Sequence, residues 1–161
     1  MESGKLANRM AVALIAVAGS TLAGIAAFEG YKSEAYIPVK GDVPTIGFGS
    51  TKGVKMGDKI TPERALQRLL DEVDSEYAQG VRRCVKVPLA QYEFASIVSF
   101  TYNVGVNAFC NSTLVKKLNA GDYKGACNEM TKWVYVKGKK VNGLVKRREE
   151  ERNICLGNTE R

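Results

Sequence analysis

Histidine is missing from all 161 residues. Its absence removes the base on which Ser-His-Asp and Cys-His catalysis ordinarily depend, and most zinc sites with it. No CxxC pair exists either. Cys84, Cys110, Cys127 and Cys155 are separated by 26, 17 and 28 positions, too far apart for a metal knuckle or a thioredoxin-like motif. An even number of widely spaced cysteines suits one or two disulfides in an oxidising compartment, and buried free thiols in a reducing one. The chain has no internal repeat and no low-complexity linker, and its length is that of one ordinary domain.

Positive charge is in excess: 24 Lys and Arg stand against 17 Asp and Glu, a formal net charge of +7. That favours a polyanionic partner such as nucleic acid, an anionic lipid surface or an acidic wall polymer. The basic residues are spread out and form no nucleic-acid motif, so nucleic acid is the weakest of these and is not expected.

Residues 10–28, MAVALIAVAGSTLAGIAAF, are a 19-residue run without charge. As one helix it would be about 28 Å long, close to the thickness of a bilayer's hydrocarbon core. Lys5 and Arg9 precede it, a placement that predicts an N-terminus held in the cytoplasm and export of the rest. Seven alanines, two glycines, Ser20 and Thr21 dilute the larger side chains, so insertion is only marginally favourable. Three readings compete: a cleaved signal peptide with Ala16-Val17-Ala18 as its cleavage motif, an Ala-rich core helix, and a weak anchor that inserts and later leaves the bilayer. The third is the expectation, with residues 1–28 as anchor and 29–161 as the working domain.

The segment 29–60 is Gly-punctuated and β-leaning, with short strands expected in AYIPV, VPTIGFGST and VKMGDKI. Helix follows. Thr61-Pro62 reads as a cap and first helical residue, and Leu66, Leu69, Leu70 and Val73 read as a buried stripe. A second helix after Pro88 carries Phe94, Ile97, Val98, Thr101 and Tyr102. Ser112 caps a third, Asp122 a fourth containing Ala126, Met130 and Trp133, and the last runs from about Leu144 to Leu156 and ends at Gly157. The expected fold is α+β, mostly α: a small β lobe and a larger helical lobe with a cleft between them.

Four carboxylates, Glu29, Glu34, Asp42 and Asp58, fall in the stretch between the uncharged run and the first predicted helix. Glycosidic hydrolysis uses two acids in unlike environments, one protonated and one ionised. Glu29 follows an apolar run, where a carboxyl holds its proton more readily. Asp42 lies in a wet Gly-Asp turn and suits the ionised partner. Spacing alone favours ordinary surface turn residues over a site, and Glu34 and Asp58 are read as solvated.

EGYKSEAYIPVKGDVPTIGFGST resembles the catalytic segment of the phage lysozymes of the T-even type, glycoside hydrolase family 24. TYNVGVNAFCNSTLVKKLNAGDYKGACNEMTKW and GLVKRREEERNICLG are similar to that family's later motifs, so the likeness covers about 28–157. The resemblance implies a lysozyme fold and a muramidase that cuts the β-1,4 bond between N-acetylmuramic acid and N-acetylglucosamine. It implies Glu29 as general acid and Thr45 as the residue that holds the attacking water. At the family's middle catalytic position the chain has Pro38, and the Glu29–Thr45 interval is one residue longer than usual. Asp42 is the carboxylate carried over in its place. Asn103, Ser112, Arg147 and Arg148 are read as substrate-binding. The two arginines also stand at helical spacing to pair with Glu151, or within reach of Glu29.

Residues 10–28 resemble the signal-anchor-release element of an endolysin subgroup. This implies tethering to the host inner membrane, then activity in the periplasm. No cysteine lies in that element, so refolding of residues 10–28 onto the domain is the implied trigger. The likeness also favours the pairs Cys84–Cys110 and Cys127–Cys155, the second more than the first. No cofactor or metal is expected, the partner is peptidoglycan, and the molecule is expected to be a monomer. The alternative is a tethered peptidoglycan-binding module that cuts nothing.

Overall fold

A computed structural model describes residues 8–158. Lys5 lies outside them. The architecture is mostly helical, with small two-stranded sheets.

The uncharged run is not one helix. A 3-10 turn at Val12–Leu14 and an extended link lead to α1 (Gly19–Glu29). Two helical-lobe side chains account for the break. Arg82 donates to the Ile15 carbonyl at 2.7 Å and Gln91 to the Ala16 carbonyl at 3.1 Å, taking acceptors that a continuous ladder would use. Val12, Ile15 and Ile25 enter the main core. Met10 and Leu89 exchange backbone hydrogen bonds at 2.9 Å in both directions. Arg9 grips Glu93 through Nη2 at 2.7 Å and lies 3.5 Å over the Tyr123 ring. Among the described residues, no helix is long and apolar enough to cross a membrane.

The β lobe is a hairpin of β1 (Lys32–Tyr36) and β2 (Thr45–Gly47), antiparallel, with Lys32 opposite Gly47 and Tyr36 opposite Thr45. The unequal spacing is a bulge in β1. The expected third strand is reduced to one bridge, Glu34 to Lys59, beside a small core of Ala35, Ile46 and Val54.

The Thr61 hydroxyl caps α2 (Pro62–Glu72), accepting from the Arg64 amide. Its buried stripe is Ala65, Leu69 and Val73 (the last at its C-cap), whereas Leu66 and Leu70 are exposed, so half of the expected stripe faces solvent. The chain continues helical through a π stretch, Val73–Ala78, into α3 (Gln79–Cys84). The central α4 (Gln91–Val104) buries Phe94, Ile97, Val98, Phe100, Thr101 and Tyr102. There follow α5 (Val106–Cys110), α6 (Thr113–Asn119), capped by Ser112, and α7 (Tyr123–Glu129), capped by Asp122. Trp133 falls beyond α7, before a hairpin of β3 (Tyr135–Val136) and β4 (Lys139–Lys140) that sequence reasoning missed. The last helix, α8 (Asn142–Cys155), packs along α4. Cys84 is joined to Cys110 and Cys127 to Cys155, with Cα separations of 5.5 and 5.7 Å.

Candidate active site

Glu29 is the last residue of α1, and the helix stops there because Gly30 adopts φ +69°. Its carboxylate is the point where three elements converge. From α8, Arg147 donates through Nη1 to Glu29 Oε1 at 2.7 Å. Arg147 is almost wholly enclosed: its Nε reaches Glu151 Oε1 at 3.0 Å, its Nη2 the Ser99 carbonyl at 3.3 Å, and its guanidinium lies 4.7 Å over the Phe28 ring. From the β lobe, Gly49 closes on the other oxygen. A Cβ on Gly49 would stand 3.0 Å from Glu29 Oε2, and its φ of +86° is one that side chains rarely adopt. Glu29 is thus oriented through Oε1, with Oε2 facing a bare stretch of backbone; its side chain keeps 21% of its exposure.

Arg147 pairs with both carboxylates that the sequence left open for it. Glu151 is fully buried, and besides Arg147 it accepts from Ser99 Oγ at 2.9 Å and from Arg148 Nη1. Arg148 is itself buried; its Nε donates to the Trp133 carbonyl at 2.9 Å and its Nη2 to Asn103 Oδ1. Burial pushes the Arg148 guanidinium below its ordinary acidity range, and Glu151 opposes that shift. Two guanidiniums and two carboxyl groups form this connected network. Hydrogen-bonded oxygens around both guanidiniums are what make two buried arginines tolerable in one low-dielectric site.

Thr45 opens β2 and is 6% exposed. Its hydroxyl donates to the Val43 carbonyl at 3.2 Å, so towards a further group it can only accept, as from a water O–H. Asp42 sits at the end of a turn whose Gly41 has φ +94°, its amide donating to the Val39 carbonyl at 2.9 Å. The Asp42 side chain is exposed and makes no hydrogen bond or ion pair among the described residues. Pro38 lies exposed in the same loop.

Of the residues read as substrate-binding, Arg147, Arg148 and Asn103 join the network around Glu29. Ser112 does not: it is buried, and its hydroxyl bonds the Phe109 carbonyl and the Val115 amide as the cap of α6. Sequence reasoning missed Ser99 and Gly49, and treated Glu151 only as a structural partner of the arginines. The signal for Glu151 was its place one helical turn beyond Arg147; Ser99 carried none.

A family model described as phage lysozyme matches residues 26–151. The chain is 41% identical over 133 residues to an endolysin of Bacillus phage B103, a match covering 82% of this chain and 51% of that protein, so it spans about half of the latter's length. It is 35% identical over 144 residues to a SAR-endolysin of Bacteriophage PS119, covering 88% of this chain and 86% of the relative. Among solved structures it is similar to an endolysin from Escherichia coli O157:H7 phage FAHEc1, with TM-score 0.78 and 42% identity over 92% of this chain and 98% of the other.

Proposed function

The chain belongs to the phage lysozyme family, and on that premise we propose that it is an endolysin, a muramidase of the T-even type (glycoside hydrolase family 24). It hydrolyses the β-1,4 bond between N-acetylmuramic acid and N-acetylglucosamine in peptidoglycan. The observation that carries this reading is the carboxyl of Glu29, tied by Arg147 at one oxygen and left free at the other. Oε2 delivers the proton to the leaving glycosidic oxygen. Asp42, exposed and unpaired among the described residues, receives a proton from the attacking water, and Thr45 Oγ1 accepts a hydrogen bond that orients that water. Arg147 orients the acid, and Arg148 with Glu151 holds Arg147 from behind.

A turbidity assay on outer-membrane-permeabilised Gram-negative cells tests this. Wild type lyses them and Glu29→Gln does not. Lysis by both proteins at equal rates would sink the assignment, and lysis by neither would leave the non-cutting binding module as the better account.

Residues 10–28 serve as a temporary tether to the host inner membrane that leaves the bilayer and packs where it now lies, after which the enzyme works in the periplasm. Two observations favour this. The run carries no charge, and its last helix ends on Glu29 itself, so the acid cannot reach its site while residues 10–28 lie in lipid. Collapsing the membrane potential of expressing cells advances lysis on this account; unchanged timing counts against it.

A further inference from the structure

A Cβ added to Gly49 would meet Glu29 Oε2 at 3.0 Å. The turn that carries it is short. Ile46 and Ser50 exchange backbone hydrogen bonds at 2.9 and 3.0 Å, so Gly47, Phe48 and Gly49 are looped out between them. Phe48 packs against the main core, its ring centroid 5.6 Å from that of Tyr31.

It is held from the helical side on both flanks of Gly49. On one flank, Tyr102 of α4 donates its hydroxyl to the Phe48 carbonyl at 2.7 Å. On the other, Ser50 Oγ donates to Glu72 Oε2 at 2.8 Å, from the end of α2. Glu72 is fixed in turn: Arg68 Nε donates to its Oε1 at 2.8 Å, and Arg68 Nη2 donates to the Lys52 carbonyl at 2.5 Å. Ser50 is 2% exposed and Tyr102 8%, so these bonds form away from competing water.

We infer that Tyr102 and Glu72 are positioning residues for Glu29 Oε2, acting through the 46–52 turn that they clamp from two helices. The inference rests on Glu29 being the acid. The clamp sets where the Gly49 backbone stands, and Gly49 bounds the space in which Oε2 and the leaving oxygen meet. The Tyr102 ring is itself seated edge-on against Tyr77, with centroids 4.7 Å apart. Burial, then the charges of Glu29 and Glu72, raise the Tyr102 phenol well above its ordinary acidity range, so its hydroxyl stays a donor at any working pH. Each oxygen of Glu72 accepts from a protein donor, Ser50 at one and Arg68 at the other.

The test measures reducing ends released from purified sacculi by wild type, Glu29→Gln, Tyr102→Phe and Glu72→Gln, with thermal midpoints beside them. Tyr102→Phe keeps the ring and removes one donor. It is expected to lower kcat about tenfold with KM unchanged within about twofold. The limb of the kcat–pH profile that reports the acid should move by about half a unit. Glu72→Gln should do the same to a smaller extent, and it decides the matter if Tyr102→Phe does not fold. If both variants keep wild-type kcat and the same pH limb while their midpoints fall, the clamp is structural only and the inference fails, with the reading of Glu29 untouched. If wild type releases no reducing ends, that reading falls and the inference falls with it.

Discussion

Two connections leave strand β2 from opposite ends, and they are built in opposite ways. Residues 46–52 are tied by Tyr102, Glu72 and Arg68 and press against Glu29. Residues 37–44 project Ile37, Val39 and Val43 into solvent at 40%, 46% and 59% exposure, and leave Asp42 unpaired among the described residues. The contrast follows what each proposed role demands. A proton donor must be placed against one oxygen of the substrate, where displacement of about 1 Å is costly. A carboxylate that acts on a water can tolerate more, because the water moves to meet it. The tied connection belongs with the proposed acid and the loose one with the proposed base.

The comparison can be broken at several points. Glu29→Gln should cost about 10³-fold in the release of reducing ends with the fold intact, since the amide oxygen of that variant can still accept from Arg147 but its amide group cannot deliver a proton. Asp42→Asn should cost about 10²-fold in kcat with little change in stability, because nothing rests on that side chain. An effect as large as that of Glu29→Gln would mean that the loose loop is as finely placed as the tied one.

Two glycines give the sharpest contrast. Gly49 and Gly41 both have positive φ, +86° and +94°, but an added Cβ meets Glu29 only at Gly49 and open space at Gly41. Both alanine variants should lose about 1 kcal/mol in chemical denaturation. Gly49→Ala alone should also slow catalysis, by about thirtyfold; equal activities would remove the difference between the two connections.

The smallest effect lies in the helical lobe. Glu129 is a tied carboxylate with no role in the proposed chemistry. Hydrogen bonds from Lys117, then Lys132, hold its acidity below the ordinary value of 4.5. A lowered folded value means that its contribution to stability is present above 4.5 and is lost as pH falls through the lower one. Thermal midpoints measured from about pH 6 to about pH 3 should therefore fall less steeply for Glu129→Gln than for wild type. Parallel curves would show that the lysine contacts contribute nothing.

The caps and periodicity of α2, α6 and α7 were legible because Thr61, Ser112 and Asp122 each satisfy a backbone amide within their own turn, a local event. Leu66 and Leu70 misled because periodicity marks an apolar face without saying how much of it the neighbours cover. Ser99 and Gly49 were not legible as site residues, since each matters through a partner at least 20 positions away. Ser112 was overread: a hydroxyl near a family-like motif is as useful to a helix start as to a ligand. The split of residues 10–28 depends on Arg82 and Gln91, which lie on other elements.

The alanines of that run have a consequence of their own. In the folded protein Val12, Ile15 and Ile25 face inward, while Ala11, Ala13, Ala16, Ala23 and Ala27 face outward. As the proposed tether, that run has to suit lipid first and a wet surface afterwards. Leucine at those outward positions would strengthen its hold on the bilayer and leave a greasy stripe on the mature enzyme; serine would do the reverse. A methyl group lies between these extremes, and the timing of lysis would then depend on side-chain size at those outward positions.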